Sequence, residues 1–213
     1  MASRSREEPS DALIRRLTLG PAGARELVAA LGVSQPVFSR LARRRSDDLL
    51  VTGRARNTAY ALRREIAGVG RTMPIYEVEP SGNTRQLAIL HAVAPEGFYV
   101  EPRAPADIAS DFHRDLPYFL DDMRPSGYLG RLLPLQHPEL ELPSDVRLWS
   151  AEQSLRYLTR YGWNLSGALI VGDTAVDRRS RTPDPRPRYL VQRRRSLCVR
   201  APRPRVLEPH ASG

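Results

Sequence analysis

Gln35, Ser39, Arg40 and Arg43 fall within nine residues and are the side chains whose types and spacing read most directly as chemistry. Gln and Arg can each place two hydrogen bonds on a purine edge in the major groove, and Ser with neighbouring Arg can hold phosphate oxygens. Ser34 opens this stretch, Arg44 and Arg45 close it, and Arg54 and Arg56 follow in a short turn. These cations suit the sugar-phosphate backbone or a minor groove. Together they predict recognition of double-stranded DNA, with no catalytic role for any of them. The same pattern also fits a packed helical hairpin with a solvated basic face, and the arginine-tipped turn favours DNA over that reading.

Such residues need a rigid helix beneath them, and the segment AGARELVAALGVSQPVFSRLARRR at 22–45 supplies one. Leu27, Val28 and Leu31 give a first helix its apolar stripe, Gly32 can take the left-handed conformation that ends it, and Val33 can fill the angle. Ser34 is placed to cap the next helix and Pro36 to sit in its first turn, with Val37, Phe38 and Leu41 inward. Asp48–Thr52 and Thr58–Leu62 are short apolar runs around the turn Gly53–Asn57, which reads as a two-stranded wing. An earlier helix over Asp11–Leu19 turns Leu13, Ile14 and Leu17 inward and stops at Gly20-Pro21. The result is a winged helix-turn-helix.

Charge divides the chain into zones, and every cation in it is arginine, because there is no lysine. Residues 34–71 hold nine Arg against three acids, residues 72–177 eight against fifteen, and residues 178–213 eleven against two. Phosphate neutralisation needs positive charge only at the contact face, so a basic module beside an acidic body fits a DNA reader attached to a domain that avoids DNA. A length of 213 residues allows one or two small domains with cores of their own. The single Cys198 permits no internal disulfide and matches a reducing compartment. No apolar run approaches the roughly 18 residues of a membrane span. The N-terminus mixes Arg with Glu7, Glu8 and Asp11 and has no signal-like apolar core. The expected location is the cytoplasm, with no membrane partner.

From Met73 the pattern changes to strands. Ile75, Tyr76 and Val78, a Ser81-Gly82-Asn83 turn, Gln86–Val93 and Phe98–Glu101 read as a small antiparallel meander. Asp111–Asp122 has helix-like apolar spacing that Pro117 should kink or restart. Pro and Gly punctuate Arg124–Pro134, Ala151–Tyr161 reads as an amphipathic helix led by Ser150, and Ala168–Val171 as a short buried strand.

The runs RPSGYLGRLLPL at 124–135 and DVRLWSAEQSLRYLTRYGWNLSGALIVGD at 145–173 resemble the N-terminal region of HipA-family serine/threonine kinase toxins. The similarity is to the single-chain HipH/YjjJ-like subgroup, which carries its own N-terminal DNA-binding domain, and spans residues 10–177. The resemblance implies that the meander is the small β-subdomain preceding a kinase core, and that GALIVGD marks where such a core begins. It also implies an ATP-dependent kinase of a toxin-antitoxin system in the full-length relatives. Phosphoryl transfer, however, requires a phosphate-cradling loop, a lysine, a catalytic Asp and magnesium ligands. This chain has no lysine, nothing like a Gly-rich loop after Asp173, and no stretch long enough for a second lobe. Asp173 and Asp177 read as a solvated face or a cap, and no catalytic residue is assigned.

Residues 178–213 carry eleven Arg and six Pro without sustained periodicity and are not expected to fold alone. They fit either a basic tail adding phosphate attraction, densest at Arg193–Arg195, or out-of-frame peptide, which the abrupt loss of resemblance near Arg178 favours. His91, His113, His137 and His210 lack paired zinc spacing, so no metal is expected. Trp149, Tyr157, Tyr161 and Trp163 are expected to form a packed aromatic cluster, and Ser126, Ser154 and Ser166 lack a His and Asp for nucleophilic work.

The expected fold class is α+β. A winged helix-turn-helix at 10–71 precedes a small β-rich HipA N-terminal-like subdomain with helices at 72–177 and a disordered or frameshifted tail at 178–213. The expected function is a DNA-binding transcriptional regulator without enzymatic activity or cofactor; the alternative is a fragment of a kinase toxin. Beyond double-stranded DNA, the partners considered are a second copy, as a homodimer, and a toxin-antitoxin partner.

Overall fold

A computed structural model describes residues 8–103, 108–165 and 168–181, without the side chains of Tyr128, Leu129 and Asn164. The fold is mixed α and β. Helix α1 (Pro9–Leu17) begins with proline, whose missing N–H costs nothing in a first turn. Helix α2 (Ala24–Leu31) ends at Gly32, which takes the left-handed conformation at φ 61°. Helix α3 (Gln35–Arg44) follows at once. Leu13 and Leu17 of α1, Leu27 of α2 and Phe38 of α3 are each 0% exposed and meet in one core with Leu49.

Strand β1 (Ala22–Gly23) pairs with β3 (Ala59–Leu62), and β3 pairs on its other side with β2 (Leu49–Thr52). The β2–β3 hairpin closes through a 3-10 turn at Ala55–Asn57. The alternating runs on either side of Gly53–Asn57 form this hairpin, with Val51 opposite Tyr60.

A second, five-stranded antiparallel sheet comprises β4 (Thr72–Val78), β5 (Thr84–Ala92), β6 (Phe98–Pro102), β7 (Asp111–His113) and β8 (Leu169–Val171). Its order is β7-β6-β5-β4-β8, so the last strand returns beside the first of the meander, Ile75 opposite Val171. Three further helices, α4 (Tyr118–Asp121), α5 (Gly127–Gln136) and α6 (Ala151–Tyr161), precede β8, and α7 (Asp173–Arg181) follows it. Leu155 and Leu158 of α6 are fully buried with Ile75, Leu90 and Val171 of the sheet. Trp149, Tyr157 and Tyr161 pack in sequence as tilted rings, with centroids 5.7 and 5.8 Å apart, and the Trp149 indole donates to the Pro143 carbonyl at 2.8 Å. The two sheets meet in a small cluster of Leu50, Ala61, Val93 and Tyr99.

Three segments depart from the sequence expectations. Asp111–Asp122 is a strand and a separate one-turn helix: β7 packs Phe112 on Tyr99 at 4.8 Å, and α4 begins only after Pro117. Arg124–Pro134 is largely helical, α5 running through Pro134. Its Gly130 serves close packing, since a Cβ there would come within 3.2 Å of Pro125 and 3.3 Å of Val146. Helix α7 carries order past residue 177 to Arg181, with Asp173 in its first turn and Arg178, Arg179 and Arg181 in its last, as the helix dipole favours. The remainder of the proposed tail, with Arg193–Arg195, Cys198 and His210, lies outside the described residues, as does Ser166.

Ser150 caps α6 as its position suggested: its hydroxyl accepts from Gln153 N–H at 3.2 Å while the Gln153 amide oxygen accepts from Ser150 N–H at 2.8 Å. Ser150→Ala is expected to cost about 1 kcal/mol of stability, read as a lower urea midpoint at unchanged slope.

Candidate nucleic-acid interface

Burying Phe38 and Ala42 decides which face of α3 is free. Gln35, Arg40, Arg43 and Arg44 are exposed, and Ser39 is half-buried between them. Gln35, Ser39 and Arg43 form one row four residues apart, with Arg40 and Arg44 in the row beside it. Ser34 occupies the cap position with an extended backbone, but its hydroxyl makes no capping bond. Its carbonyl accepts from Phe38 N–H at 2.9 Å, and the exposed hydroxyl stays available to other partners.

The hairpin tip holds Arg54 and Arg56 exposed on a tightly specified turn. Gly53 adopts φ 70°, where an added Cβ would lie 2.2 Å from the Asn57 carbonyl oxygen. Ala55 is itself left-handed at φ 52°, and the Thr58 hydroxyl donates to its carbonyl at 2.9 Å. Only glycine fits at 53, and the sequence signal for that was the Gly–Arg turn between two apolar runs.

Of the nine arginines in 34–71, four are committed within the protein. Arg45 donates to the Ser10 hydroxyl at 2.9 Å and lies 3.4 Å from both Asp11 and Asp48. It is therefore a brace between α1 and the end of α3, where the sequence reading had it gripping phosphate. Arg63 donates to the Leu49 carbonyl at 3.2 Å, Arg64 pairs with Glu152, and Arg71 lies 3.6 Å from Glu65 and 4.0 Å from Asp48. The other five, Arg40, Arg43, Arg44, Arg54 and Arg56, are exposed and carry no ion pair among the described residues. Sequence counting saw the excess of charge, while the partners Ser10 and Asp11, more than thirty residues upstream of Arg45, gave no local signal.

The acidic half offers a different surface. An open cleft of about 1150 Å³ is lined by Asp115, Asp121, Arg124, Arg131, Asp145 and Arg147. Five of its charges are paired: Arg124 lies 2.5 Å from Asp121 and 3.3 Å from Asp115, and Arg147 lies 2.7 Å from Asp145. Hydrogen bonds from the Arg147 side chain and backbone hold the Asp145 carboxyl down at about 2, so it stays ionised and acts as no proton donor near neutrality. Tyr76 is pushed up to about 12 by burial and by its hydrogen bond to Asp173, which leaves it a neutral donor. Asp173 thus closes β4 onto α7. Among the described residues no group of three or more His, Cys, Asp or Glu side chains is placed to hold a metal, and no helix is long and apolar enough to cross a membrane.

Residues 69–180, which hold the five-stranded antiparallel sheet and the helices that back it, match the middle domain of YjjJ-like toxins. The chain belongs to that toxin family. It is 35% identical over 158 residues to Toxin YjjJ of Escherichia coli (strain K12), a stretch covering 74% of this chain and 35% of the length of that protein. No solved structure matches. Family membership favours the toxin reading over a free-standing transcription regulator.

The bracing and the exposed arginines are separable by mutation. Arg45→Ala is expected to lower stability by about 1 kcal/mol through the loss of three partners, whereas Arg43→Ala should leave the urea midpoint within a few tenths of a kcal/mol.

Proposed function

We propose that this chain is the DNA-reading, non-catalytic front portion of a YjjJ-like toxin. In this reading residues 9–62 act as a winged helix-turn-helix. Helix α3 enters the major groove with Gln35, Ser39, Arg40 and Arg43 on base edges and the adjoining phosphates, while Ser34, Arg44, Arg54 and Arg56 hold the backbone. The observation that carries the reading is the division among the arginines. Arg45, Arg64 and Arg71 are ion-paired and Arg63 is hydrogen-bonded to Leu49 and His91, and the other five lie on one helix and one hairpin tip. A face that served only solubility would have no need of a left-handed turn that admits only glycine and presents Arg54 and Arg56.

Residues 69–180 serve in this proposal as the toxin's middle domain, whose acidic surface keeps it off the duplex and leaves it for protein contacts, with a second copy or a toxin-antitoxin partner. The HipA-like resemblance assigns ATP-dependent serine/threonine kinase activity to full-length relatives. The lysine and phosphate loop that this chemistry needs are absent from this sequence, so we propose no enzymatic activity for the chain itself.

Titrating the purified chain against labelled DNA from its own promoter region, at two salt concentrations, tests the reading. Arg40→Ala should cost about 1–3 kcal/mol on the best sequence and flatten discrimination. Arg54→Ala should weaken all sequences alike and reduce the salt slope by about 1. Binding untouched by both substitutions would overturn it.

A further inference from the structure

The hairpin passes into the five-stranded sheet at Arg63 and Arg64, and the seam is hydrogen-bonded like a strand pair. Ala94 N–H donates to the Leu62 carbonyl and Arg64 N–H to the Ala92 carbonyl, both at 2.9 Å, and Arg63 faces Val93 in an isolated bridge. His91, on β5 and only 4% exposed, lies against this seam. Its Nδ1 is 3.0 Å from Arg63 and its Nε2 is 2.8 Å from Glu101. A guanidinium carries donors only, so Nδ1 must accept and the imidazole proton must sit on Nε2, donated to Glu101. The ring is thereby held neutral in one tautomer.

A second proton has nowhere to go but Nδ1, where it would meet the Arg63 N–H groups head on and set two cations 3.0 Å apart. Of the other charges around the ring, Glu101 opposes this and Arg103 adds to it. Glu101 already shares its carboxylate with Arg103 at 3.2 Å, and Arg71, on the far side of the seam, is held by Glu65 and Asp48. The Tyr99 ring lies tilted at 6.3 Å and adds no charge. Arg63 also donates to the Leu49 carbonyl of β2, so its displacement reaches the hairpin directly.

We propose that His91 is a pH-sensitive latch: its protonation ejects Arg63 and loosens the hairpin from the sheet. Only what the latch would regulate rests on the DNA reading; the latch itself requires no DNA. The sign follows from burial, which pushes His91 below the ordinary 6.5 against the opposing pull of Glu101. Above 6.5 the ring is neutral whether the seam is closed or open. Below it, the open form takes the proton first, so the seam weakens as pH falls.

Amide hydrogen exchange on the full chain between about pH 7.5 and 5, corrected for intrinsic rates, reads the seam directly. Protection at Ala94 and Arg64 should fall by about tenfold or more toward the acid end while that at Leu90 holds. His91→Gln retains a neutral acceptor and donor and should abolish the pH dependence. Glu101→Gln removes the charge that favours protonation, so the loss of protection should extend to lower pH; this second variant decides the matter if the first does not fold. A wild-type profile in both variants would overturn the latch, whatever the chain does with DNA. The expected profiles in a chain that binds no DNA would support the latch and count against the DNA reading alone.

Discussion

The edge-on contact between Phe38 and Tyr60, centroids 5.1 Å apart and planes at 83°, sets the orientation of everything around it in the N-terminal half. Tyr60 sits mid-sheet, opposite Ala22 on one side and Val51 on the other, so its position is fixed by two strands at once. Phe38 enters between it and the leucines of α1 and α2 with no surface left exposed. Once that ring is inside, the 3.6-residue period turns Arg40, Arg43 and Arg44 outward, and Gln35 is exposed as the first residue of the helix. Truncating such a ring costs about 3–5 kcal/mol, a large share of the stability of a small domain. The rotational setting of α3 is therefore specified by its core residue and not by the arginines it displays.

Where the sequence was legible, neighbouring residues carried the information. Leu27, Gly32, Phe38 and the runs flanking Gly53 could be read because apolar period, turn chemistry and hairpin length are local. Ser150 with Gln153 three residues on is likewise a local signature of a helix start, and it holds. Failures came where distant partners decided. Phe112 lies in a strand because β6 offers a hydrogen-bonding edge and Tyr99 a ring to pack on. Gly130, in mid-helix, packs against Pro125 and Val146 so closely that a Cβ there would need them to shift. Arg45 looked like one more surface cation in a basic run, and only the fold reveals Ser10 and Asp11 beside it.

The same distinction corrects the electrostatics. An excess of six positive charges over residues 34–71 overstates what faces outward in one sense and misplaces it in another. Arg63 and Arg64 tie the hairpin to the acidic half, through His91 and Glu152, while Arg71 is held by Glu65 and Asp48 within the basic zone itself. One ion pair, Arg64 with Glu152, thus joins the two zones beside the hydrogen bond of Arg63 to His91. The family match begins at residue 69, just past Arg63 and Arg64, so this junction links the N-terminal helices and hairpin to the toxin's middle domain.

The exposed face of α3 and the hairpin tip carries its positive charge on guanidinium groups alone. A guanidinium does not lose its proton at any pH a cell reaches, and acetyl transfer to amines does not touch it. Enzymes that silence lysine-rich surfaces by acylation would find no substrate on this face. Its positive charge is constant, methylation would remove hydrogen-bond donors without removing charge, and what weakens its field is raised salt or movement of the element that carries it.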